Sequence, residues 1–275
     1  MKGTVSFKTK CNIEETIKMT SCVLDMCKEL NIEAWLAWGA LLGIIREKRL
    51  LPWNNDVELM VIAKKNYHQK ALSLAKRLKN KNYHCIYYRN ISALSIRSLI
   101  EDVNVNINFA KEGKEDISRP HETAAGDSKD SPKIAQIFWK IAIIFNSYCS
   151  LNMKVFQKIS IKYKFKYLLI FLINPIPLFM KIQLSKFFHL ISACFGGKSS
   201  STCLPKDIIL PLKNIEFYGR EELGPNSPKK FLKYVYGEDW LIPKENWSFY
   251  SKENKHISNL KYKNINLFGS DLSLK

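Results

Sequence analysis

Between residues 56 and 62 the chain reads Asp-Val-Glu-Leu-Met-Val-Ile, with Val57, Leu59 and Val61 at alternate positions and Asp56 and Glu58 between them. Successive side chains of a strand point to opposite faces, so this spacing predicts a strand with an apolar face and two carboxylates side by side on the other. What precedes it is equally restrictive. Residues 34–38 (Ala-Trp-Leu-Ala-Trp) read as a short strand closed by Gly39, residues 40–48 fit a short helix, and Pro52 forbids that helix to continue past Leu51. Strand, glycine turn, helix and acidic strand therefore follow one another within thirty residues, and few α/β arrangements accommodate that order.

The flanking segments extend the pattern. Asn12 is a plausible N-cap with Glu15 three residues on, and apolar residues at mostly helical spacing predict a helix to about Leu30. A lysine-rich helix is expected over about 64–79, then strands over 83–89, 92–97 and 102–109. The last alternates Val103, Val105, Ile107 and Phe109 with Asp102, Asn104, Asn106 and Asn108. Residues 111–133 are polar, contain Pro, Gly and Ser, and read as a surface loop. Residues 134–200 are apolar and basic. Lys154, Lys158, Lys162 and Lys166 recur every four residues as on one helix face, although 158–167 also alternate as a strand would; the length of the apolar stretch favours helices. A strand over 208–217, a helix over 227–235 and a tail after Pro243 complete the expectation of one α/β domain over residues 1–275, with a helical basic insertion.

With 43 Lys+Arg against 25 Asp+Glu the formal charge is +18, and 46% apolar residues mark a folding chain. Such an excess points to an anionic partner: a phosphorylated small molecule, an acidic membrane surface or nucleic acid. Arginine is sparse beside lysine and no clustered Arg/aromatic patch is visible, so no specific nucleic acid is expected. Seven scattered cysteines predict buried thiols without a disulfide framework, and the polar start lacks an apolar leader, which predicts cytoplasmic residence. The longest apolar run, 167–180, is broken by Pro175 and Pro177 and is too short to span a bilayer. The lysine stripe suits either a solvated helix face or an anionic lipid surface.

Carboxylates at positions i and i+2 of a strand are what a hard divalent cation needs: oxygen ligands close together, completed by substrate phosphate. Asp56 and Glu58 are the candidate pair for Mg²⁺ or Mn²⁺. As a surface feature the same pair would be unremarked; the glycine turn and Pro52-Trp53 beside it favour function. Trp35, Trp38, Trp53 and Trp240 are expected to pack in the core. His189, Cys194 and Cys203 lack zinc-ligand spacing, and residues 196–199 lack the upstream glycine of a phosphate loop.

The segment 38–61, WGALLGIIREKRLLPWNNDVELMV, resembles the LicD family of phosphotransferases, to which the fukutin-type proteins are related. Gly39, Leu41, Leu42, Gly43, Arg46, Pro52, Trp53 and Asp56 match its first signature, and Phe217, Gly219, Pro225, Leu232, Tyr236, Gly237, Asp239, Trp240 and Pro243 follow the order of its second. The resemblance implies a nucleotidyltransferase-like mixed sheet with flanking helices. It also implies Mg²⁺-dependent transfer of a phospho-alcohol, such as phosphocholine or a phospho-polyol, from a CDP-activated donor onto a cell-surface or lipid-linked glycan, at the inner face of the membrane. Asp56, Glu58 and Asp102 would be catalytic, with Gly39, Arg46, Trp53 and Asn106 binding substrate. The chain departs from the family at Asn54, Asn55 and Asn106, where acids are usual. The alternative reading is thus a catalytically degenerate member that binds a nucleotide or glycan.

Overall fold

The computed structural model describes residues 12–54, 56–98, 103–120, 132–158, 161–197, 199–244 and 257–260. Their order is α1 (Ile13–Glu29), β1 (Ala34–Leu36), α2 (Trp38–Glu47), β2 (Asp56–Ile62), α3 (Tyr67–Asn80), β3 (His84–Tyr88), β4 (Ala93–Arg97), β5 (Asn104–Glu112) and β6 (Asp116–Pro120). Then come α4 (Lys133–Phe145), β7 (Ser147–Ser150), α5 (Met153–Lys158), α6 (Ile161–Leu172), α7 (Leu178–Cys194), β8 (Ser199–Pro205), α8 (Lys206–Ile209), β9 (Lys213–Phe217), β10 (Arg220–Gly224), α9 (Pro228–Tyr236) and β11 (Ile257–Leu260).

Local chemistry sets the boundaries that matter for the site. Asn12 caps α1 by accepting the Glu15 N–H at 3.0 Å, and Glu14 and Glu15 in the first turn face the positive end of the helix. Helix α2 ends at Lys48 in the left-handed conformation, φ 57°, which turns the chain back over the helix. Gly43 makes that return feasible. A Cβ there would lie 2.5 Å from the Arg49 carbonyl oxygen and 3.0 Å from the Leu51 nitrogen, so only glycine lets the 49–51 backbone pack onto α2. Pro52 and Trp53 form the turn that delivers the chain to β2.

The eleven strands form one mixed sheet whose central path runs β11-β8-β6-β5-β2-β1-β10-β9, with β4, β3 and β7 continuing from β5 on a branch. β2 and β5 pair in parallel over seven residues; β1 is antiparallel to β2 and parallel to β10. Helices α1 and α3 cover one face. The core there gathers Val57, Leu59, Val61, Val105, Ile107, Phe109, Leu94 and Ile96 with Val23, Leu24, Leu74 and Leu78, all 5% exposed or less. The opposite face carries two separate apolar clusters. One joins Trp35, Trp38, Leu41 and Met60 to Ile117, Leu204, Phe231 and Val235; the other joins Ile86, Tyr88 and Ala93 to Trp139, Ile143, Tyr167 and Ile170.

The mixed α/β sheet with flanking helices is therefore as expected, and so is the helical reading of the ambiguous 158–167 stretch, through α5 and α6. Three expectations need correction. Residues 111–133 are not one loop. β5 runs on to Glu112, and β6 pairs with both β5 and β8, placing Ile117 fully inside the core. The helical insertion is interrupted by β7, a strand that extends the sheet beyond β3. Residues 208–217 are not a single strand, because α8 occupies Lys206–Ile209 and Pro211 separates it from β9. Among the described residues six cysteines are free, and no helix is long and apolar enough to cross a membrane. Trp35, Trp38 and Trp240 are buried and Trp53 is partly so, as the packing role required.

Candidate functional site

The pairing register assembles a polar strip on the sheet face opposite α1 and α3. Asp56 stands beside Asn104, Glu58 beside Asn106 and Met60 beside Asn108; on the far side of β5, Arg97 pairs with Asn104, Ser95 with Asn106 and Ala93 with Asn108. Partners in register share a face. The face thus reads as an Asp56–Asn104–Arg97 row and a Glu58–Asn106–Ser95 row, bordered by the apolar clusters that hold Met60 on one side and Ala93 on the other. Of the residues expected at the site, Asp56, Glu58 and Asn106 are adjacent here. Asp102 and Asn55 lie outside the described residues.

Electrostatics single out the carboxylates. Burial pushes the Glu58 carboxyl up to about 7; the charge of Asp56 adds to this and Arg119 opposes it. Asp56 is raised as well, by burial first, against a backbone hydrogen bond that pulls the other way. Two acids that penalise each other's ionisation store a demand for positive charge, which a divalent cation would meet. In that chemical sense the pair fits a hard metal ion. Among the described residues no group of three or more His, Cys, Asp or Glu converges; the described carboxylates there are Asp56 and Glu58, with the asparagine amides of β5 beside them.

Arg119 on β6 is the cation that acts on Glu58. Its guanidinium donates to the Asn108 side-chain oxygen, while Asn108 is almost wholly buried. The Asn104 Oδ1 and the Asn108 Nδ2 have no hydrogen-bond partner among the described residues, so the strip holds buried polar atoms that the fold leaves unsatisfied. No local signal marks Arg119, which sits in a polar stretch with no apolar run of its own.

The N-terminal turn of α2 approaches from β1. The Ala37 N–H donates to the Glu58 carbonyl at 3.1 Å, and Ala37 offers no side-chain cap to the helix. Trp38 opens α2 with a left-handed φ of 49°. At Gly39 a Cβ would meet the Asn54 amide nitrogen at 2.6 Å. Asn54, one of the amides standing where the family has acids, therefore packs onto the bare Cα of the glycine turn.

Arg46 ties the first signature block to the second. It donates to the Trp240 carbonyl at 3.3 Å and to Glu47 at 2.8 Å, and its side chain is 9% exposed. The two signature blocks are thereby joined across 194 positions. Tyr236 completes the junction. Burial raises its hydroxyl far above the ordinary value, the negative charges of Glu58 and Asp56 add to the shift, and Arg46 opposes it. The second block thus reaches the acids. Sequence order alone could not place it there.

Residues 31–121 match the LicD/FKTN/FKRP nucleotidyltransferase domain, which bears out the resemblance read from the motifs over that stretch and points to a transferase. The matched range runs from β1 to the end of β6 and so contains the whole polar strip; the second block lies outside it. No curated protein matches the chain in sequence. Among solved structures, the solution structure of the antibiotic-resistance factor ANT(2'')-Ia is 12% identical with a TM-score of 0.31, covering 67% of this chain and 96% of that one. A crystal structure of ANT(2'')-Ia in complex with adenylyl-2''-tobramycin is 14% identical with a TM-score of 0.29, covering 64% and 98%.

Proposed function

We propose that the chain, which carries a LicD-family match over residues 31–121, is a phosphotransferase that moves a phospho-alcohol, phosphocholine or a phospho-polyol, from a CDP-activated donor onto a glycan. The observation that carries this reading is the Asp56/Glu58 pair, two mutually destabilised carboxylates beside Arg119 in a strip between two apolar walls. Asp56 and Glu58 would hold Mg²⁺ or Mn²⁺, which supplies charge neutralisation for the donor diphosphate.

The chain's own residues do the rest. Ala37 gives α2 no side-chain cap and Gly39 keeps the first turn close to its neighbours, so we assign the reception of phosphoryl oxygens to that turn. Arg119 offers a planar, permanently charged donor on the same face, and Arg46 is assigned the phosphate-binding part that the family resemblance gives it. Trp53, partly buried at the edge of the apolar cluster, is assigned to flank a bound donor, and Asn106, between Glu58 and Ser95, to hydrogen-bond it. Asp102 is assigned the base toward the acceptor hydroxyl, on the strength of the family resemblance. The acceptor is read as a cell-surface or lipid-linked saccharide, met at the cytoplasmic face of a membrane.

The amides give a second reading specific support. Asn104, Asn106 and Asn108 line the strand next to the carboxylates, and Asn54 stands where an acid is usual. A protein that binds nucleotide or glycan without turnover would keep this strip and lose the metal. Isothermal titration of CDP-choline, CDP-ribitol and CDP-glycerol, with and without Mg²⁺, separates the two. Metal-dependent binding of one donor, lost in Asp56→Ala, supports the transferase and names the alcohol. Metal-independent binding that survives in Asp56→Ala supports the binding protein.

A further inference from the structure

The second apolar cluster is roofed by α4 and α6, with α7 packed against α4, and these helices belong to a segment of unusual composition: residues 133–206 contain eleven lysines and no aspartate or glutamate. Their inward faces are ordinary. Ala135, Trp139, Ala142 and Ile143 of α4 and Ile182, Ser185, His189 and Ser192 of α7 are buried, and Ser185 and Ser192 donate across the helix pair to the Ala142 and Ala135 carbonyls at 2.8 Å. On α6 the buried residues are Tyr167 and Ile170.

Their outward faces are not ordinary. On α6, Ile161, Phe165, Leu168 and Leu172 recur at spacings of four, three and four, and they are 85, 74, 41 and 63% exposed. Spacing of that kind puts all four on one stripe. On α7, Phe179, Phe187 and Leu190 form a second stripe, 65, 56 and 64% exposed. Of the sixteen most exposed large apolar residues among those described, thirteen lie between Ile134 and Phe195. Single exposed apolar side chains are commonplace, but a field of them confined to one segment marks a surface that something apolar covers.

We infer that this helical face rests on an anionic lipid bilayer, its Phe, Leu and Ile stripes entering the headgroup boundary and its lysines meeting the negative lipid charge. Charge decides the occupant. A second copy of the same face would bring solvent-accessible lysines of α4, α6 and α7, Lys133, Lys140, Lys164 and Lys186 among them, against their own kind with no acid on those helices to pair them (Lys181 is itself buried), whereas anionic headgroups complement both properties of the surface at once. The helices lie in the plane of the membrane. α6 has 12 residues and α7 has 17 with Lys181 and Lys186 within it, and no helix among those described is long and apolar enough to span. The inference stands independently of the proposed reaction, because none of the carboxylate strip lies on these helices.

The test is co-sedimentation of the full chain with vesicles of pure phosphatidylcholine, or of phosphatidylcholine with phosphatidylglycerol, at low and high salt. The expected result is sedimentation with the anionic vesicles only, release by salt, and a loss of at least about fivefold in Phe165→Glu/Phe187→Glu. Both replaced residues are largely exposed, so circular dichroism and the melting temperature should match wild type; Phe165→Leu/Phe187→Leu should restore binding and so exclude damage to the fold. Equal sedimentation with neutral vesicles, or unchanged binding in the glutamate variant, overturns the inference. So does absence of lipid binding together with a concentration-dependent dimer that the same glutamates abolish, which would assign the face to a second copy.

Discussion

The two apolar clusters on one face of the sheet have opposite surroundings. Around the first, charges of both signs are in contact: Arg46 meets Glu47, Arg119 opposes Glu58, and Tyr236 feels both acids. Around the second, positive charge stands on helices with no acid of their own, and apolar side chains face outward. A net charge of +18 thus conceals two physical arrangements. In one, cations are held in place by the fold and can stabilise developing negative charge; in the other they are available to a large anionic surface. Chemistry and attachment should therefore be separable by mutation.

The sharpest break comes from Asp56→Ala. Transfer should fall by roughly a thousandfold or more, the scale on which loss of a metal-holding carboxylate acts, while lipid binding stays at its wild-type level. Parallel loss of both would mean that the two regions are one site. A smaller effect is expected from Arg119→Ala. Arg119 holds the Glu58 pKa down, so without it that pKa rises above about 7 and more of the carboxyl is protonated at neutral pH. Activity at pH 7 should fall by about tenfold, recovering as pH rises, so that the pH-rate profile shifts upward; a uniform loss at every pH would make Arg119 a structural residue only.

The smallest effect is on stability. Glu58 has a folded-state pKa near 7 against an ordinary 4.5, so between these values the folded state holds the extra proton. Stability without divalent metal is therefore greatest below about pH 4.5 as far as this group is concerned, declines as pH rises toward 7, and is level beyond. Glu58→Gln should abolish that decline and melt higher than wild type at pH 8 without metal. Added Mg²⁺ should then stabilise wild type and not the variant. A variant that melts lower at pH 8 would contradict the buried, destabilised carboxylate.

The strands bearing the carboxylates and asparagines were legible in the sequence because alternation there is strict and glycine and proline mark the ends. Spacing alone put Asp56 and Glu58 on one face of their strand and Asn106 on the polar face of its own; their association rested on the family resemblance, and the structure makes them neighbours. β6 was hidden because it has no apolar run of its own; Asp116–Pro120 owes its conformation to pairing with its hairpin neighbour β5 on one side and the distant β8 on the other. β7 escaped notice as four residues between two apolar helices, where helical periodicity dominates any window. Ile208, Ile209 and Leu210 look like a strand, yet Ile208 and Ile209 close a short helix and a proline follows. Arg119 and Tyr236 reach the acids only through tertiary folding, and no local pattern encodes that.

The pairing of β1 with β10 also bears on how the molecule is made. Trp35 is in register with Leu223, so the edge of β1 that β10 occupies has no partner until the ribosome has delivered everything between them, including the whole acid-free segment. At about 5–20 residues per second that interval is on the order of 10–40 seconds. During it, β2 and α2 can already be in place while one edge of the sheet stays open and a greasy, basic segment emerges beside it. Vectorial synthesis thus exposes both hazards together, and a nascent chain that finds lipid early would have one of them covered before the last strands arrive.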